Sequence, residues 1–232
     1  MVSDRLLRIL GLLRGEDGLG ASRLCKVAAE VTGMSGAGVM LLADGRPRAS
    51  VCTTDEVSSL IEDAQYTLGE GPCMDAHRLG EVVSEPDLAT RGASRWVSFS
   101  RRAFGAGARA VFGYPIRIGA VRLGALNLYR DQPGALDDDQ HADALVVADV
   151  AARAILAAQA GAPLGGFGIN AEKDLFLWGI VHQAAGMVSV QLDIAVADAL
   201  VRLRACAFRT DRLVSEVARD VVERRLHFNG DE

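Results

Sequence analysis

The sequence predicts an α+β domain followed by a small three-helix all-α unit. Three observations carry that prediction: two hairpin signatures with apolar strands, helical periodicities before, between and after them, and a breaker-rich joint ahead of three further amphipathic segments. Strands joined by short turns pair antiparallel, and the intervening helices must flank the resulting sheet.

Taken in order, residues 3–13 and 21–33 read as helices, the second with Leu24, Val27, Ala28 and Val31 on one face and Ser22 near its start as a cap. Residues 38–43 and 48–53 form a hairpin, because the intervening Asp44-Gly45 supplies the positive φ of a tight turn. Residues 55–66 follow as a helix with Val57, Leu60, Ile61 and Ala64 on its apolar side. Leu68-Gly69-Glu70-Gly71-Pro72-Cys73 reads as a loop, since two glycines and a proline oppose regular structure. A short strand at 81–84 and a helix at 94–104 lead to the longer hairpin, 109–118 and 121–129 about Gly119. Its strands are apolar on both faces, which makes them a central pair covered on both sides. A long helix then spans about 137–158, with Leu145, Val146, Asp149, Ala152 and Leu156 at helical spacing.

Residues 161–168 hold four glycines and one proline and cannot continue that helix, so the domain boundary is placed here: residues 1–160, a joint at 161–171, and a helical unit at 172–232. Three helices are readable in the tail. The first spans about 172–187, with Leu175, Trp178, Val181 and Ala185 on one face; the second spans 194–207. The third, 211–226, turns Leu213, Val217, Val221 and Val222 inward and takes Thr210 or Asp211 as its cap.

Composition narrows the function. Of 232 residues, 50% are hydrophobic and 24% charged, room for a medium domain and a small one. No stretch approaches an uninterrupted apolar span, and Asp4, Arg5 and Arg8 break any leader-like run, so a cytoplasmic protein with no membrane partner is expected. Cys25, Cys52, Cys73 and Cys206 lie far apart without a C-x-x-C pair, and His77, His141, His182 and His227 are equally scattered. Neither a metal site nor a disulfide framework is expected. The net charge of -5 argues against nonspecific coating of nucleic acid, while leaving room for a local basic face.

The chain resembles a bacterial protein type that joins an N-terminal GAF domain to a C-terminal ANTAR domain. The N-terminal resemblance rests on residues 68–75, on Arg95-Trp96 with Phe99, and on residues 114–117 followed by 123–129. In the tail it rests on an Ala185-Gly186-Met187 turn, on Ala199-Leu200 with Leu203-Arg204-Ala205, and on Leu213 with Val217-Ala218 and Val221-Val222. The resemblance implies a GAF-like antiparallel sheet flanked by helices, acting as a small-molecule or redox sensor. It also implies a three-helix module that binds RNA stem-loops in nascent transcripts and so regulates transcription antitermination, without catalysis or a cofactor. A unit of this size buries a marginal core alone, so a homodimer is expected. Arg202, Arg204, Arg209, Arg212 and Arg219 are the candidate RNA contacts, with Arg202 and Arg209 sharing a face if their helix runs on. Residues 171–232 carry eight basic and ten acidic residues, 8 - 10 = -2, so any RNA face must be segregated from acidic surroundings.

In the sensor, the resemblance directs attention to Tyr66, Cys73, Trp96, Phe112, Tyr114 and Asn127 as ligand-pocket candidates. Each has an ordinary packing alternative. Cys73 follows a Gly-Pro turn, where a helix N-terminus would favour thiolate, but it has no basic neighbour in sequence and equally suits a buried inert thiol. A phosphate-accepting receiver is disfavoured, because Asp44 sits in a turn without a paired acidic residue and no lysine occurs between Lys26 and Lys173. Two alternatives stay open: a GAF-type thiol enzyme such as a free methionine sulfoxide reductase using Cys52 and Cys73, and an interaction module whose tail binds no RNA.

Overall fold

A computed structural model describes residues 2–14, 21–43, 46–159 and 179–229, and its centre is the expected antiparallel sheet. The strands are β1 (Gly36–Ala43), β2 (Arg46–Thr53), β3 (Val83–Glu85), β4 (Ala110–Ile118) and β5 (Val121–Arg130), in the spatial order β2-β1-β5-β4-β3. The longer hairpin therefore lies inside the sheet, and its double-sided apolarity is explained by cover on both faces. Register places Gly38 of β1 and Gly113 of β4 on either side of Asn127 of β5. Because side chains alternate along a strand, Phe112, Tyr114, Leu126 and Leu128 point to one face and Gly113, Ala125 and Asn127 to the other.

The first face packs against α2 (Ala21–Thr32) and α7 (Asp138–Gln159), with α1 (Val2–Leu13) laid over both. Arg5 and Arg8 pair with the buried Asp143 at 2.7 and 2.6 Å, which pins α1 to α7. Two expectations change here. Cys25 of α2 and Cys52 of β2 form a disulfide across 27 residues, a pairing that only the packing of helix on hairpin reveals. The buried side of α7 is Ala144, Val147, Ala148, Ala151 and Ile155, while Leu145 and Leu156 are exposed. The small alanines let the helix lie close to the sheet, so leucine spacing gave the wrong phase.

On the opposite face lie α3 (Glu56–Leu68) and α4 (Pro72–Leu79), followed by a π-helical turn (Leu88–Gly92), α5 (Ala93–Arg95) and α6 (Val97–Ala106). Asp55 caps α3 by accepting from Ser58 N at 2.7 Å, an arrangement that contributes about 1 kcal/mol. The expected 68–73 loop shrinks to Gly69–Gly71, because Pro72 occupies the first turn of α4, where its missing N–H costs nothing. Each residue of that segment has a structural task. Gly69 ends α3 in the left-handed region at φ 67°, and Glu70 Oε1 accepts from Ser98 N and Phe99 N at 2.9 and 2.7 Å, holding the start of α6.

The tail contributes α8 (Gly179–Leu192), α9 (Val196–Arg209) and α10 (Val214–Val222). Gly186 lies within α8 and not in a turn; the chain reverses after it at Asp193, whose φ is 52°. Neither proposed cap acts as one. Thr210 Oγ1 donates back to Cys206 O at 2.7 Å, Asp211 turns to α6, and the Leu213 N–H at the head of α10 donates to Glu216 Oε2 at 2.9 Å. Val181, Ala185, Val188, Leu203, Val217 and Val221 form the helical core, and that core runs on without a break into Met40, Leu42, Tyr66, Cys73 and Ala125. The joint at 161–171, the Asp44-Gly45 turn, Leu175 and Trp178 lie outside the described residues. Among the described residues no single helix is long and apolar enough to cross a membrane.

Candidate functional site

The arrangement with most chemical content is the layer between the sheet and the tail, organised by α3. Its second half is buried nearly all round although it is rich in polar residues: Glu62, Asp63, Gln65, Tyr66 and Thr67 are all buried. One side faces the sheet. Glu62 lies flat on Gly38, where a β-carbon would come within 2.3 Å of its Oε1, and it accepts a hydrogen bond from Ser50 Oγ. Gln65 Oε1 accepts from Cys73 N at 2.8 Å. At Gly113 the bare α-carbon admits the Pro72 carbonyl, which a side chain would strike at 2.4 Å.

The other side of α3 faces the tail. Arg204 of α9 stacks on the Tyr66 ring with its guanidinium carbon 4.3 Å from the centroid. Ser215 of α10 donates to Asp63, and Val214 N donates to Thr67 Oγ1 at 3.1 Å. Nearby, Arg101 and Arg102 of α6 reach Asp211 at 3.2 and 3.0 Å, and His182 Nε2 meets Arg48 O at 3.3 Å.

Several atoms in this layer are buried without a hydrogen-bond partner: Glu62 Oε1, Asp63 Oδ1, Gln65 Nε2, both polar atoms of the Asn127 amide, and Arg204 Nε. Such groups are costly. Burial pushes the Glu62 carboxyl up to about 8 from an ordinary 4.5, against the favourable Ser50 contact, and Asp63 up to about 6 from 3.8. The Tyr66 phenol is also raised by burial, with the Arg204 charge opposing.

The six sensor candidates divide. Tyr66, Cys73 and Asn127 come together in this layer. Trp96 lies to one side, Nε1 donating to Asp75 Oδ2 at 3.1 Å and the ring edge-on to Phe99, a packing role. Phe112 and Tyr114 are on the opposite face of the sheet, in the core against α2 and α7, where the Tyr114 hydroxyl meets His141 Nδ1 at 2.9 Å; they line no part of the layer. Glu62, Asp63, Gln65 and Ser50 were not anticipated, because nothing in the sequence shows that α3 is covered on two sides.

The thiols offer little reactivity. Cys73 is fully buried and its thiol is pushed up by desolvation and by Glu62, which overrides any help from the head of α4. Cys52 is bridged to Cys25. Among the described residues no group of three or more His, Cys, Asp or Glu is arranged to hold a metal ion.

The five tail arginines also divide. Arg204 is turned into the sensor, and Arg212 pairs with Asp220 at 2.7 Å. Arg202, Arg209 and Arg219 are exposed, and α9 runs far enough to carry Arg202 and Arg209 on one side, as expected.

A family profile described as the GAF domain matches residues 21–156. The chain belongs to the GAF domain family. The match spans the sheet and its flanking helices and stops before the tail. The fold is similar to the GAF domain of a phosphoenolpyruvate-protein phosphotransferase from Acinetobacter, at 14% identity and a TM-score of 0.51, over 69% of this chain and 96% of that one. It is similar to the corresponding GAF domain from Coxiella burnetii at 14% identity and a TM-score of 0.51, over 69% and 95%. No curated protein sequence matches the chain significantly. A GAF domain is typically a sensory or regulatory module, and here the face of that module beside α3 is the one the tail occupies.

Proposed function

We propose that this protein is a signal-responsive regulator of transcription antitermination, in which the GAF domain governs an ANTAR-like tail that binds RNA stem-loops. The observation that carries the reading is Arg204. A candidate RNA contact is stacked on Tyr66 with its Nε buried, so docking on the sensor and reading RNA compete for one side chain. A small-molecule effector that loosens the layer around Glu62, Gln65 and Asn127 would release Arg204, while Arg202, Arg209 and Arg219 supply further contacts from the exposed side. Exposed Val190, Val201 and Phe208 on the tail suit pairing with a second copy, and a dimer suits two stem-loops.

The test is binding of a tandem stem-loop RNA by the full chain across a salt titration. An RNA reader weakens steeply as salt rises, because phosphate contacts release counterions. Ser215→Asp sets a second carboxylate against Asp63, opposes docking and raises RNA affinity, whereas Arg202→Ala with Arg209→Ala lowers it. Absence of a saturable RNA complex for both the native chain and Ser215→Asp at low salt overturns the reading. That outcome favours a tail that docks a protein partner, a second reading supported by the ion pairing of Arg212 with Asp220 and by the acidic balance of the tail.

A further inference from the structure

A cavity of about 530 Å³ opens where α6 of the GAF domain meets the turn between α9 and α10. It lies on the outer side of α3, away from the Glu62–Asn127 layer, and its wall combines apolar Leu60 and Leu213 with Arg101, Arg102, Asp211 and Glu216. Two guanidinium groups from consecutive residues converge on a single carboxylate oxygen, Asp211 Oδ1, at 3.2 and 3.0 Å. Arg102 is the buried member, its side chain 16% exposed, and it also donates to Arg212 O at 3.1 Å. Asp211 itself is 68% exposed and stands in the left-handed region at φ 51°. Glu216, the other acid on the wall, is turned to the Leu213 N–H at 2.9 Å.

Two guanidinium groups on one shared carboxylate oxygen leave N–H donors in excess of the acceptors Asp211 supplies. A group with more charge and more acceptor oxygens than a carboxylate uses both forks fully, and a phosphate monoester is such a group. We propose that this cavity binds a small phosphate monoester, the phosphoryl group taking the place of the Asp211 carboxylate on Arg101 and Arg102 and the organic body lying against Leu60 and Leu213. Asp211 is then an internal competitor. Because it belongs to the tail and the arginines to the GAF domain, the ligand binds best where that cross-link is open and weakens docking of the helices by linkage. The inference concerns this cavity alone and does not depend on what the tail recognises.

Calorimetric titration of the full chain with phenyl phosphate, with inorganic phosphate and benzyl alcohol as partial probes, tests it without RNA. Saturable binding of phenyl phosphate is expected, tighter than that of inorganic phosphate, with no binding of the alcohol. Arg102→Gln weakens it about tenfold or more, since a charged hydrogen-bonding pair is removed, while Asp211→Asn tightens it several-fold by removing the competitor. Thermal melting of each variant shows whether its fold is retained. The proposal is overturned if neither the native chain nor Asp211→Asn binds phenyl phosphate saturably into the millimolar range. It is equally overturned if binding is indifferent to Arg101→Gln and Arg102→Gln in folded protein.

Discussion

Behind the sheet, Phe112, Tyr114, Leu126 and Leu128 pack dry against α2 and α7, the Tyr114 hydroxyl finds His141, and a disulfide ties α2 to β2. In front of it, Glu62, Gln65 and Asn127 sit in a layer as deeply buried but with polar atoms left over, roofed by helices from the far end of the chain. Equal burial thus serves two ends. The rear face supplies stability, and the front face gives some of it up by burying unpartnered polar atoms under a docked element.

The comparison is broken most directly by truncation on the rear face. Phe112→Ala is expected to cost about 3–5 kcal/mol, the transfer and cavity terms of a buried ring. Asn127→Leu, one register step away on the neighbouring strand but on the front face, should change stability by no more than about 1 kcal/mol, because an amide with two unpartnered atoms has little to lose. Denaturant unfolding of both variants measures this, and similar losses for the two would mean that the faces do not differ as described.

Next in size is the bridge. Replacing Cys25 and Cys52 together by alanine should lower stability by about 3 kcal/mol through the entropy returned to the unfolded chain. Addition of a thiol reductant should shift the native protein toward the variant's midpoint and leave the variant where it is.

A pH titration sharpens the front face further. The Glu62 carboxyl is raised to about 8 in the folded chain from an ordinary 4.5, so the folded state holds a proton that the unfolded state releases. Its contribution is therefore fully present below pH 4.5 and is lost as pH rises through 8; Asp63, raised to about 6, acts in the same direction between its ordinary 3.8 and 6. Glu62→Gln keeps the shape without the titration. Its melting temperature should match the native chain's near pH 4 and exceed it at pH 8, and melting curves that stay parallel across that range would show that Glu62 is not desolvated as drawn.

Much of the fold was legible because it is written locally. The Gly119 turn with apolar strands on either side and the helical period of residues 55–66 are short-range signals. The site was legible only in pieces. Cys73, Tyr66 and Asn127 could be chosen as candidates, but Glu62 and Gln65 look like ordinary polar positions of an exposed helix until a second layer covers them.

By itself, the sequence determined the GAF domain, the strands of the two hairpins with their antiparallel pairing, and, by alternation, that Phe112 and Tyr114 share a side; that Asn127 takes the other came from the register. Which side would face the tail was decided only by tertiary structure. Strand alternation specifies relative direction, and when both faces are buried and both are covered by helices, hydrophobicity no longer distinguishes them. The same holds for Arg204 against Arg202, two positions apart on one helix: their types and spacing are alike, and only the docking of α9 on α3 turned one into the sensor and left the other on the exposed side.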